Sequence, residues 1–165
     1  MGLPPGLEGY WERYAEETRA YWARVCAKNA IDASIEPDIF PWGRAPILAD
    51  LWLNLILHGR KRSTAHPMLQ HDVDGTLPHA VGDYSIVLDG FARPGCVLRT
   101  TGVEIKAFCE VDEAFVKAES EGAGILAYWK VGHWASYEEY CALHGAVMSE
   151  DLPMVLEYFE LIDPS

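Results

Sequence analysis

Two runs rich in β-branched residues, YSIVLD from Tyr84 and GCVLRTTGVEIKAF from Gly95, are separated only by GFARP. A parallel pair would need a crossover of a dozen or more residues, so these runs must be consecutive antiparallel strands. Any fold for this chain has to be built around that pairing. Upstream the period is different. Leu7, Tyr10, Trp11, Tyr14, Thr18, Tyr21, Trp22, Val25 and Cys26 recur at gaps of three and four, which predicts a leading helix over 7–28. Its aromatic face is expected to pack on the core, and any part left exposed would serve a homodimer.

NAIDASIEPDIFPWGRAP carries three prolines and reads as an irregular connection. Pro46 suits the first position of a second helix running to about His58, with Leu48, Leu51, Trp52 and Leu55 inward and Gly59 as its stop. RKRSTAHPMLQHDVDGTLPHAVGD reads as a turn-rich connection. VDEAFVKAESEG predicts a short helix, ILAYWK and HWASYEEYCALHG carry helical spacing, and VLEYFELI closes the chain as an alternating strand. This order predicts an α+β fold, a small barrel in preference to a parallel sheet. No repeat or linker divides the 165 residues, so a single domain over 1–165 is expected.

No apolar run approaches the roughly 18 residues of a membrane span. MGLPPGLEGY has neither the basic and apolar regions of a secretory signal nor a myristoylation motif, and Cys26, Cys96, Cys109 and Cys141 show no paired spacing. A cytoplasmic protein with free thiols is therefore expected. The net charge of −12 disfavours a protein that coats nucleic acid, because that affinity comes from neutralising phosphates. A local basic pocket for a small or single anionic ligand is compatible with it.

Asp72, Asp74, Gly75, Thr76 and Leu77 spell DxDGTL, the signature of haloacid dehalogenase-type phosphatases. That chemistry needs the motif at the end of a buried parallel strand. The preceding HPMLQH makes a poor central strand, and the third acidic position and distal glutamate of a calcium loop are also missing. The stretch is read as a turn.

Residues 59–64, GRKRST, place three cations after a helix end and before two hydroxyls. Taken alone they complement a helix dipole in water. Together with FPWGRAPILADLWLNLILHGRKRST, LPHAVGDYSIVLDGFARPGCVLRTTGVEIKAF, VDEAFVKAESEG and YWKVGHWASY, the chain resembles the ASCH-domain proteins, a branch of the PUA-like barrels, over most of Phe40–Phe159. The resemblance implies a small β-barrel of about five to six mostly antiparallel strands over 40–162, flanked by helices and preceded by the leading helix. It also implies a cleft beside Gly-x-Lys-x-x-Thr and a function tied to RNA or nucleosides. A short bacterial subgroup hydrolyses N4-acetylcytidine to cytidine and acetate with a lysine, a threonine and a distant glutamate, which fall here on Lys61, Thr64 and Glu119. Other members are reported as ribonucleases, and the domain is widely held to bind RNA. This chain departs from the Glu-Gly-Glu-Gly-Asp of longer members, reading Glu119, Ser120, Glu121, Gly122, Ala123.

An amidohydrolase needs a nucleophile, a base and a donor for the leaving nitrogen. Thr64 can supply the hydroxyl and Lys61 the base, with no metal or cofactor. Both would reach one site from a helical turn or a tight loop. Bringing a lysine from ~10.4 to ~7.5 takes about 4 kcal/mol. Arg60 and Arg62 push that way and an ionised Glu119 pushes back. Either Glu119 is protonated and donates to the leaving nitrogen, or Lys61 stays charged as oxyanion donor. Arg44, Arg60, Ser63, Arg99, Glu121 and Trp42 are the expected substrate contacts, Ser63 doubling as an alternative nucleophile. Trp129 and Trp134 are candidates for stacking on a pyrimidine, and His133 is a candidate general acid. Replacing Lys61, Thr64 or Glu119 is expected to abolish turnover and leave folding intact. The alternative function is an RNA-binding module or a ribonuclease acting on single-stranded RNA.

Overall fold

The computed structural model describes the backbone of residues 8–42 and 45–164, with side chains from position 15 onward. Its elements run α1 (Glu8–Asn29), β1 (Asp38–Pro41), α2 (Pro46–Leu57), β2 (Ser63–Pro67), α3 (Leu69–Asp74), β3 (Tyr84–Leu88), β4 (Pro94–Ala107), α4 (Glu113–Glu119), α5 (Leu126–Leu143) and β5 (Pro153–Pro164). The five strands are ordered β1-β3-β4-β5-β2. β3 and β4 are antiparallel, as their short connection requires, and so are β2 and β5; β1 runs parallel to β3. The architecture is α+β, and no described helix is long and apolar enough to cross a membrane.

The edge strands are what the sequence hid. β1 lies between Pro37 and Pro41, and β2 ends on Pro67. A proline that would break a central ladder is tolerated at an edge, where its missing N–H faces away from the sheet. DVDG is the end of α3, not a turn between loops. Gly75 closes that helix at φ +67°, its N–H bonding the His71 carbonyl, and Asp72 and Asp74 are exposed. The aspartates follow a helical turn and not a parallel strand, so the phosphatase geometry is absent.

Contacts divide the chain into two compact units. The first comprises Met1–Leu57, Tyr84–Arg99 and Leu161–Ser165. Here Tyr21, Trp22, Val25 and Cys26 of α1 bury against Ile86, Leu88 and Val97. The later half of the aromatic face is thus core; the side chains of Tyr10, Trp11 and Tyr14 lie outside the described ones. In α2 the inward residues are Ala49, Leu53 and Ile56, one step round from the expected stripe, and Leu51 is exposed. PILADLWLNLIL is apolar on nearly every side, so its period marks a helix without fixing which face turns in. The loop after β3 is fitted to this helix. A Cβ on Gly90 would stand 2.5 Å from the Pro46 carbonyl oxygen and 3.0 Å from the Asp50 carboxylate. Gly90→Ala should therefore lower stability by about 1–3 kcal/mol, read as a lower urea midpoint. An unchanged midpoint would mean the loop simply moves.

The second unit comprises His58–Asp83 and Thr100–Glu160. Phe108, Phe115, Val116, Trp129, Tyr137, Met154 and Leu156 form its core. ILAYWK and HWASYEEYCALHG are one helix, α5, because Gly132 between them is exposed and costs only about 1 kcal/mol there.

Candidate functional site

The most unusual feature of the second unit is a lysine and a glutamate buried together. Lys61 and Glu119 are each 1% exposed. Local chemistry puts Glu119 there. The Asp112 carboxylate accepts the Phe115 N–H and starts α4; Ser120, at φ +62°, ends it in the left-handed conformation that usually belongs to glycine. That turn brings Glu121 back beside the last helical residue. Arg62 N–H bonds the Ala118 carbonyl at 2.6 Å, holding the segment before β2 against the same helix end.

The Lys61 ammonium donates to Glu121 Oε1 at 2.5 Å and to the Glu119 carbonyl at 3.5 Å, and lies 3.7 Å from Glu119 Oε1. That Oε1 accepts the Ala65 N–H at 2.9 Å, so the carboxylate sits at the peptide joining Thr64 to Ala65. Oε2 accepts the indole N–H of Trp129. Burial pushes the Glu119 carboxyl up to about 7; Lys61 opposes this and Glu121 adds to it. His133 stacks on Trp129 at 4.0 Å, meets the Trp129 carbonyl at 3.0 Å through Nδ1, and points Nε2 to within 3.8 Å of both carboxylates. Burial lowers its pKa. Glu119, Glu121 and His133 offer atoms within 4.8 Å of one another and could hold a metal ion. The Lys61 ammonium already supplies a positive charge against two of them.

Thr64 occupies β2, not a helical turn, and successive strand residues face opposite ways. Its cross-strand partner is Glu157. Glu157 is buried in mid-strand, accepts the Thr100 hydroxyl at 2.6 Å, and meets His79 Nδ1 at 3.0 and 3.1 Å. His66, on the same face, contacts His71 at 2.9 Å, and His71 contacts the Thr76 hydroxyl at 2.9 Å. Burial drives His66 down to about 4, aided by His71 and opposed by Glu157.

The structure thus gathers Lys61, Glu119 and Glu121, with Thr64 tied in through the neighbouring peptide. Ser63 is fully buried and its hydroxyl donates to the Phe115 carbonyl at 3.2 Å, a structural bond that leaves it poorly placed as nucleophile. Arg60 is exposed, and Arg62 bonds the Lys61 carbonyl at 2.8 Å. Trp42 and Arg99 belong to the first unit, Trp42 stacked on Phe40 and Arg99 exposed opposite Tyr84. Arg44 lies outside the described residues. Trp134 packs edge-on against Phe108. Sequence reasoning missed Trp129 as the donor to Glu119 and missed the Glu157–His79 pair. Spacing of four on α5 could have linked Trp129 to His133, and a glutamate at the centre of VLEYFELI could have flagged Glu157.

The family model for the ASCH domain matches residues 39–163, which include every one of these side chains. The chain belongs to the ASCH domain family. Its fold is the PUA-like α+β fold. Among solved structures this ASCH domain is similar to protein EF3133 from Enterococcus faecalis V583, with a TM-score of 0.84 and 26% identity over 91% of this chain and 90% of that one. It is also similar to an ASCH domain from Lactobacillus crispatus JV V101, with a TM-score of 0.79 and 25% identity over 96% and 97%. No curated protein matches it.

Proposed function

We propose that this ASCH domain is an amidohydrolase that removes the acyl group from N4-acylated cytosine nucleosides, converting N4-acetylcytidine to cytidine and acetate, with Lys61, Thr64 and Glu119 as its catalytic residues and no metal. The observation that carries the reading is the fully buried Lys61–Glu119 pair. Isolated charges of this kind are too costly to bury without partners, and such sites concentrate at functional centres. The sequence left two roles open for the pair, and the geometry favours both together. The Lys61 ammonium, held in place by two carboxylates, is suited to the oxyanion that forms when the amide carbonyl is attacked. A carboxyl raised to about 7 carries a proton for part of the time at neutral pH, suited to protonating the leaving N4. Thr64 supplies the attacking hydroxyl, and Arg60 and Glu121 are the substrate contacts of the second unit.

The test is release of cytidine from N4-acetylcytidine, followed by chromatography. Glu119→Gln, which keeps the shape and removes the proton, should lower the rate about 10²–10⁴-fold. A wild-type rate in that variant would sink the assignment. Single-stranded RNA incubated beside it should stay intact on a gel; cleavage there with no nucleoside turnover would favour the ribonuclease reading.

A further inference from the structure

We propose that Glu119, Glu121 and His133 form a zinc site, and that zinc bound there switches the hydrolase off. The two carboxylates have two edges. Their Oε1 atoms face the Lys61 ammonium, 3.7 Å away for Glu119 and 2.5 Å for Glu121. Their Oε2 atoms face His133, each 3.8 Å from its Nε2. The ring is held for that approach. Nδ1 meets the Trp129 carbonyl at 3.0 Å, and a carbonyl only accepts, so Nδ1 carries the hydrogen and the neutral ring has its lone pair on Nε2. Trp129 stacks on the ring at 4.0 Å and Tyr137 meets it edge-on at 5.4 Å. Three acceptors thus converge, one oxygen from each glutamate and one imidazole nitrogen. Such an arrangement is repulsive until a proton or a cation stands among them.

The donor set and its surroundings fit zinc. Imidazole and carboxylate both bind zinc at about 2.0–2.2 Å, which sets tetrahedral ligand atoms roughly 3.3 Å apart. The 3.8 Å separations therefore need to close by only about half an ångström. Glu121 can supply that movement, since it begins the short 3₁₀ turn after α4 and its side chain is 17% exposed. Histidines that bind metal donate their other N–H to a carbonyl or carboxylate, as His133 does. Ligating carboxylates are hydrogen-bonded in turn, as Glu119 Oε2 is by the Trp129 indole N–H. Three protein ligands leave the fourth position to water. Magnesium is a poorer match, because it favours oxygen ligands and gives up its waters reluctantly. Zinc on this edge takes the place of the proton that Glu119 gives to N4, so loaded protein lacks its leaving-group donor. That consequence rests on the amidohydrolase reading; the site itself does not.

Titration calorimetry of the intact chain with zinc chloride should show one zinc per chain at micromolar concentration, and magnesium chloride should not bind. His133→Gln should weaken zinc binding about 10–100-fold or more. Cys109→Ser and His71→Gln, which alter the exposed thiol and the other histidine pair, should bind zinc as wild type does. Nitrogen NMR of wild type should show zinc shifting His133 Nε2 while Nδ1 keeps its hydrogen, a readout that needs no variant to fold. With N4-acetylcytidine as substrate, zinc should lower the rate about 10²-fold or more, the loss that follows removal of a general acid, and a chelator should restore it. No zinc binding by wild type, binding unchanged in folded His133→Gln, or loss of the site in Cys109→Ser or His71→Gln would each overturn the proposal. Full turnover with zinc bound would overturn the switch. Zinc held by His133 in a protein that is inert towards N4-acetylcytidine even without zinc would uphold the site and overturn only the activity assigned above.

Discussion

Lys61→Met is expected to cost the protein about 3–5 kcal/mol of folding stability at pH 8, read by urea denaturation. Methionine fills much of the lysine volume, so the loss is electrostatic. Without the ammonium, Glu119 stays 1% exposed and loses that cation, and Glu121 loses its 2.5 Å partner. The chain's response is to protonate Glu119. Lys61 lowers that carboxyl, so its removal carries the group above about 7, further from its ordinary 4.5. A carboxyl raised in the folded state stabilises at low pH, and that contribution is lost as pH rises through the folded value. Lys61→Met should therefore be only mildly destabilised near pH 5 and strongly so at pH 8. Adding Glu119→Gln should restore much of the difference, a coupling that a double-mutant cycle measures directly. A loss below about 1 kcal/mol at pH 8 would show that the pair is solvated and not the buried cluster described above. The 1% exposure of Lys61 and Glu119 thus predicts a folding cost for replacements there, where the sequence alone suggested none.

Trp129→Ala should be comparably severe, about 3–5 kcal/mol, because it empties a fully buried site. Trp129 is 1% exposed, stacked on Phe108 at 5.5 Å and on His133 at 4.0 Å. Trp129→Phe separates packing from hydrogen bonding. It keeps a ring between Phe108 and His133 and deletes the N–H that serves Glu119 Oε2. Losing one donor to a charged acceptor should cost about 1.5–3 kcal/mol, more at pH 8 than at pH 5, because that bond favours the ionised carboxyl. Trp129→Phe as stable as wild type at both pH values would mean that the indole N–H contributes nothing to holding Glu119.

The order of helices and strands was legible wherever one period ran long enough. α1, the β3–β4 hairpin, α4 and β5 follow from repeats of 3.6 or from β-branched runs. β1, β2 and α3 escaped because each is short and flanked or ended by prolines or glycine, and only a position at the sheet edge or a left-handed cap makes such residues compatible with regular structure. Lys61, Thr64 and Glu119 could be singled out from the order of motifs along the chain. Their surroundings could not. The Lys61 ammonium has carboxylates on it because Glu121 and Glu119, roughly sixty residues downstream, converge there. The face that Thr64 presents is decided by its register with Glu157 on β5, almost a hundred residues away. What the chain determines locally is which residues exist and which period they follow. Which charges meet, and which hydroxyl meets which base, depends on contacts distant in sequence, and these arise only when the sheet closes its long-range pairs and water is expelled from between them.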